Sequence, residues 1–182
     1  MRKMGFVAAI VTVAALLSGC LGAGTYQVTP ELQNGTAAIG LWHSVGGDGC
    51  YWARLSGFGG TLDEIIANSF SVSGPQYVEI KSTDVGFKTS GCFPWYQSGS
   101  AVDHLNVITT TFGDGQYLAG KELPAGTYQA SDKADCYWAR VSSFDGEFAS
   151  IIANDLGGGI VTVQPSDYGL STSGCGTWAK IG

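Results

Sequence analysis

Most of this chain is written twice, and that fact limits its fold more than any other. The block from Cys50 to Asn68 (CYWARLSGFGGTLDEIIAN) returns from Cys136 to Asn154 (CYWARVSSFDGEFASIIAN) with 12 of 19 positions identical. The stretch Asp84 to Cys92 (DVGFKTSGC) returns as Asp167 to Cys175 (DYGLSTSGC), and each is followed three residues later by a tryptophan, Trp95 and Trp178. Upstream, Gly24-Thr-Tyr26 and Glu31-Leu-x-x-Gly-Thr36 match Gly115-Gln-Tyr117 and Glu122-Leu-x-x-Gly-Thr127. The reading is a first module over 24–96, a linker over 97–114 and a second module over 115–182, with some independent movement between modules. Two copies at this period make a tandem pair, because a stacked solenoid needs at least three units.

The segment ahead of the modules is an address. Met1-Arg2-Lys3-Met4 is a basic start, and Gly5 to Leu17 is an apolar run of 13 residues. A spanning helix needs about 20 apolar residues, so this run has the length of a secretory signal instead. It ends in Leu17-Ser18-Gly19-Cys20, which resembles the lipobox of bacterial lipoproteins. The resemblance implies removal of a 1–19 signal peptide, lipid on the Cys20 thiol and a short anchored N-terminus over 20–23. The expected location is the cell membrane, facing outside the cytoplasm. From Cys20 on there are 7 basic and 15 acidic residues, a net charge of −8. An anionic membrane repels such a body, so the membrane is a partner through the lipid alone, and two or more acyl chains make that hold stable. The same charge excludes nucleic acid as a partner, since phosphate binding needs a basic face.

With Cys20 assigned to the lipid, two cysteines remain in each module at equivalent positions. Outside the cytoplasm such pairs form disulfides. Four cysteines allow three connectivities, and the duplication favours Cys50–Cys92 and Cys136–Cys175. Each closes a loop of about 40 residues, a stabilisation of roughly 4 kcal/mol on the chain-entropy estimate. A zinc site needs clustered ligands at short spacing, and the sequence has no CxxC. No metal or cofactor is expected.

The texture of the modules is β. Short runs such as Tyr77-Val-Glu-Ile-Lys81 and Ile160-Val-Thr-Val-Gln164 are rich in β-branched and aromatic residues, and the 28 glycines of the chain punctuate them. The spacing Thr61-Leu-Asp-Glu64 is a capping box, which predicts one short helix through Ile65-Ile-Ala-Asn68, with Asn68 and Asn154 as left-handed ends. The fold class is therefore mainly β: two small antiparallel sheets or barrels, each with one short helix and one disulfide.

Chemistry is sparse. His43 and His104 are the chain's two histidines, neither has a counterpart in the other module, and both read as solvated loop residues. No nucleophile elbow, zinc-protease motif or phosphate loop is present, so no catalytic residue is assigned. The acids Asp63, Glu64 and Asp84 would serve a carboxylate-dependent glycan hydrolase, but Asp63-Glu64 aligns with Ala149-Ser150. Arg54 with Asp84 and Arg140 with Asp167 read as duplicated internal ion pairs. Tyr51, Trp95, Tyr96, Tyr137 and Trp178 are the candidate binding aromatics, because exposed rings on a rigid β scaffold stack on sugars or fill partner pockets.

The Cys-Tyr-Trp-Ala-Arg block resembles modules in uncharacterised exported proteins and lipoproteins of high-GC Gram-positive bacteria and their phages, which implies export and transfers no catalytic residue. The expected function is a non-catalytic, lipid-anchored envelope protein with two binding modules, its ligand an envelope glycan or an envelope protein. A phage-encoded lipoprotein that excludes a second phage is a variant of the same reading.

Overall fold

The computed structural model describes residues 20–71, 73–99, 107–108 and 110–182. The signal segment 1–19 and His104 lie outside the described residues. The first module contains β1 (Cys20–Leu21), β2 (Gly24–Thr29), β3 (Thr36–Ala38), β4 (Gly40–Ser44), β5 (Cys50–Leu55), β6 (Ile65–Ser71), β7 (Gln76–Ile80), β8 (Gly86–Ser90) and β9 (Trp95–Gln97). These strands form two sheets, ordered β1-β9-β4-β7 and β3-β2-β8-β5-β6. The second module contains β10 (Thr111–Phe112), β11 (Gly115–Leu118), β12 (Gly126–Ala130), β13 (Tyr137–Val141), β14 (Ile151–Leu156), β15 (Ile160–Val163), β16 (Gly169–Ser173) and β17 (Trp178–Lys180). Its sheets are β10-β17-β12-β15 and β11-β16-β13-β14. The two topologies agree strand for strand. The parallel bridge Ala119–Leu123 stands where β3 pairs in parallel with β2.

The alternation of β5 settles which face is core. Side chains on a strand alternate sides, so Cys50, Trp52 and Arg54 point one way and are buried. Cys50 and Trp52 join Trp42, Val78, Phe87 and Trp95 in the core between the sheets. The other face of β5, with Tyr51 and Leu55, looks outward. Disulfides Cys50–Cys92 and Cys136–Cys175 tie the start of the β5 or β13 segment to the end of β8 or β16, the pairing that the duplication favours.

Five sequence expectations need correction. The predicted helix is absent. Leu62–Glu64 and Phe148–Ser150 form single 3-10 turns, and Ile65 onward is strand β6. The capping box is real, but β-branched Ile65 and Ile66 continue as a strand because β5 offers its free edge, with Leu55 opposite Ile65. No described residue other than glycine has positive φ, so Asn68 and Asn154 are not left-handed ends. The upstream match is also out of register. Gly126-Thr127 opens β12, the counterpart of Gly40-Leu41 in β4, whereas Thr36 opens β3. The extra residues of the first module therefore lie between β2 and β3. His43 sits in β4, buried, with its ring 5.7 Å from Tyr77 and 6.0 Å from Tyr96; it is no solvated loop residue.

The segment between the modules is no free linker. Both ends of the 97–114 stretch carry strand, and the two modules are docked. Tyr77 of the first module packs with Leu118, Ala139, Val141 and Phe144 of the second in a shared apolar cluster. Backbone bonds cross the junction from Gln116 N to the Pro75 carbonyl at 2.8 Å and from Glu79 N to the Phe144 carbonyl at 3.0 Å. The Gln116 side chain accepts from Tyr77 N at 2.6 Å. Main chains run so close here that a Cβ on Gly74 would strike the Asp114 carbonyl, and one on Gly115 would strike Pro75.

Candidate binding groove

The outward face of the sheet β3-β2-β8-β5-β6 is roofed by the loop from Ser56 to Glu64. Between sheet and loop lies an open groove of about 410 Å3 lined by Thr25, Tyr51, Leu55, Phe58, Leu62 and Lys88, among others. Glu64 shapes the roof: its carboxylate accepts from Gly59 N at 2.9 Å and Gly60 N at 2.7 Å. These bonds, led by that from Gly59, hold the carboxyl below the usual range. Phe58 lies over Gly86, where any Cβ would meet its ring.

The second module repeats this groove. Gln116, Tyr137, Val141, Phe144, Phe148 and Ser171 line it at the positions of the six residues above. There the groove is filled, because Tyr77 of the first module stacks on Phe144 with ring centroids 5.2 Å apart. About 220 Å3 is left, closed in part by Trp52, Asn68 and Ser69. The effect on the roof phenylalanine is large: Phe144 is 2% exposed and Phe58 is 55% exposed.

Charges fasten the filled groove. The Arg54 guanidinium grips Asp84 with two bonds, Nε to Oδ2 at 2.7 Å and Nη2 to Oδ1 at 2.8 Å. Its remaining terminal nitrogen, Nη1, crosses to the second module, donating to the Asp145 carbonyl at 2.7 Å and to Glu147 Oε1 at 2.9 Å. Lys81 Nζ reaches Asp145 Oδ2 at 2.7 Å and Glu147 Oε1 at 2.9 Å. Arg140 holds Asp167 with the same two-bond grip. Burial pulls the Arg54 guanidinium down most, yet bonds to Asp84 and Glu147 outweigh it and raise its pKa.

The carboxylates respond in kind. Lys81 first and Arg54 second hold Glu147 below the usual carboxylate range. Burial pushes Asp145 and Asp167 up, but Lys81 and Arg140 respectively, with backbone donors, leave both lowered. A lowered carboxylate stabilises the fold above its unfolded pKa, and that contribution is lost as pH falls through the folded value. Glu79 has the opposite sign, because burial and then Asp145 raise it. Its contribution is present at low pH and lost as pH rises through its folded value. Four lowered carboxylates, Glu64 among them, stand against one raised, so the thermal midpoint should hold from about pH 7 to about pH 5 and fall below about pH 4. Scanning calorimetry across that range checks this; a midpoint unchanged down to about pH 3 contradicts it.

The sequence-derived binding aromatics divide. Trp95 and Trp178 are fully buried. Trp95 Nε1 donates to Thr89 at 2.8 Å, and Trp178 stacks on Phe112. They are core residues and unavailable to a ligand. Tyr96 packs beside His43 in the other sheet, away from the groove. Tyr51 and Tyr137 do line the two grooves. Sequence reasoning missed Phe58, Leu62, Phe144 and Tyr77. Phe58 and Phe144 were visible as a repeated position, but Tyr77 aligns with Ile160 and carried no repeat signal.

Among the described residues no helix is long and apolar enough to cross a membrane. A family model described as the Rv1352-like extracellular domain matches the chain in two segments, residues 18–96 and 109–179. No curated protein and no solved structure matches the chain.

Proposed function

This chain belongs to the Rv1352-like extracellular domain family, and on that premise we propose that it is a non-catalytic binding protein of the cell envelope. It is held to the membrane by lipid on Cys20, and the groove of its first module takes up a protein partner. One observation carries this reading: the same groove occurs twice, and the copy in the second module is filled by polypeptide, with Tyr77 seated on Phe144. The copy in the first module offers Tyr51, Leu55, Phe58 and Leu62 without such a cover. Apolar side chains gathered on an otherwise acidic surface mark an interaction site. A protein partner is favoured over a glycan because Trp95 and Trp178, the two tryptophans among the candidate binding aromatics, are core.

Two of the three acids considered for hydrolysis are otherwise engaged, and the third, Asp63, aligns with Ala149. Asp84 is buried and paired with Arg54, and Glu64 is bound to loop amides. Neither is positioned as a carboxylate pair across a cleft.

The test is a photo-crosslinking phenylalanine analogue at Phe58 in the full chain, expressed in its membrane. An adduct with an envelope protein, lost on Leu62→Asp, is expected; both side chains are exposed, so folding should change by no more than about 0.5 kcal/mol. Saturable pelleting with purified cell wall that ignores Leu62→Asp would transfer the site to a glycan. Cys20→Ser should move the protein from the membrane to the soluble fraction, and retention in the membrane would refute the anchor.

A further inference from the structure

The junction between the modules is made of two patches that do not correspond, so each module keeps one patch unused. The first module contributes its β6–β7 edge, with Tyr77, and keeps its groove open. The second module contributes its groove and keeps the matching β14–β15 edge bare. The strand pairings put Ile160 at the place of Tyr77, Thr162 at that of Glu79 and Asp155 at that of Ser69. On this edge Ile160 is exposed where Tyr77 is buried, while Ile152 and Leu156 are exposed as their counterparts Ile66 and Phe70 are.

We infer that the open groove of the first module takes the β14–β15 edge of a second copy of this chain, joining copies head to tail as the modules are joined within one. The inference rests on the reading that the groove accepts a polypeptide edge, and it names that edge. Continuity with the existing junction is the first argument. The two rings that stack at the junction both have exposed counterparts: Phe58 for Phe144, and Ile160 for Tyr77.

Charge is the second argument, because the changes between the copies compensate. Within one chain Arg54 and Lys81 face Asp145 and Glu147. At the proposed joint Gln164 stands for Lys81, while Gly59 and Thr61 stand for Asp145 and Glu147, so Lys81 and both acids are replaced together, and Arg140, in the place of Arg54, keeps Asp167 as its partner. The Gly59 carbonyl occupies the place of the Asp145 carbonyl, and Arg140 is the counterpart of its donor. In exchange a new pair arises. Ser69 and Ser171 line one cavity at the existing junction. Their counterparts are Asp155 and Lys88, opposite charges that the same geometry brings together. Edge and groove are different surfaces, so the contact is heterologous and extends to chains or rings of copies.

The test uses the chain from residue 20 on with Cys20→Ser, which holds both modules whole, in sedimentation velocity over a range of concentrations. The wild type should show mass growing past the dimer as concentration rises. Lys88→Asp alone and Asp155→Lys alone should each weaken association by about tenfold or more, since each sets like charges opposite one another. Mixing the two variants should restore growth past the dimer as alternating copies, because each variant's groove then meets an edge of opposite charge on the other. Circular dichroism of each variant verifies folding. A wild type that stays monomeric at millimolar concentration, or one that associates with no response to either reversal and no rescue on mixing, overturns the inference. If self-association fails while Phe58 still crosslinks a different protein, the binding reading stands and only the occupant is wrong.

Discussion

Arg54→Ala should lower the unfolding free energy by about 3–5 kcal/mol at neutral pH, the range for breaking one partner out of a buried ion pair. The Arg54 side chain is 1% exposed and the Asp84 side chain is fully buried. Without the guanidinium, Asp84 keeps its bond from Lys81 N and loses both charged donors. The junction also loses two donors, to the Asp145 carbonyl and to Glu147. Arg140→Ala makes the matched control. Its two-bond grip on Asp167 is the same, but its side chain is 19% exposed and reaches no other module, so water recovers part of the loss. Urea unfolding of the two variants should rank Arg54→Ala clearly the more damaging. Equal losses would mean that the bonds across the junction contribute nothing. Replacing Arg54 by Met and Asp84 by Leu together should recover much of the deficit, because no uncompensated charge remains.

Cys50→Ala with Cys92→Ala should cost about 4 kcal/mol, the chain-entropy value for the 42-residue separation the bond spans. The more informative outcome is the shape of the transition. Tyr77 completes the apolar cluster of the second module, so loosening the first module uncovers Phe144 in the second. The chain should therefore unfold in one calorimetric step before and after the substitution, at a lower temperature after it. A second step persisting at the wild-type midpoint would show that the modules fold separately and that the junction is weak.

What could be read from the sequence was whatever the duplication preserved. The disulfides and the Arg54–Asp84 and Arg140–Asp167 pairs sit at repeated positions, and their chemistry leaves few alternative partners. The helix was misread because a capping box specifies only a first turn; whether Ile65 and Ile66 then coil or extend depends on the free edge of β5, a tertiary fact. Trp95 looked like an exposed ring after the second cysteine. It is core because β9 is held between β1 and β4, a pairing that joins distant segments and leaves no local pattern. The junction was hidden for the opposite reason: Tyr77, Lys81, Asp145 and Glu147 have no like residue in the other copy, and the repeated Arg54 and Phe144 gave no sign that they reach across.

One consequence concerns height above the bilayer. Cys20 belongs to β1 and pairs with Tyr96, and Leu21 beside it is buried in the core of the first module. A lipid on that thiol leaves no slack between acyl chains and folded body. The protein would stand directly on the lipid headgroups like a post without a rope, sampling tilt rather than reach. Its partners would then be molecules already within a protein's width of the membrane, and its neighbours in the same leaflet would meet it at a fixed level.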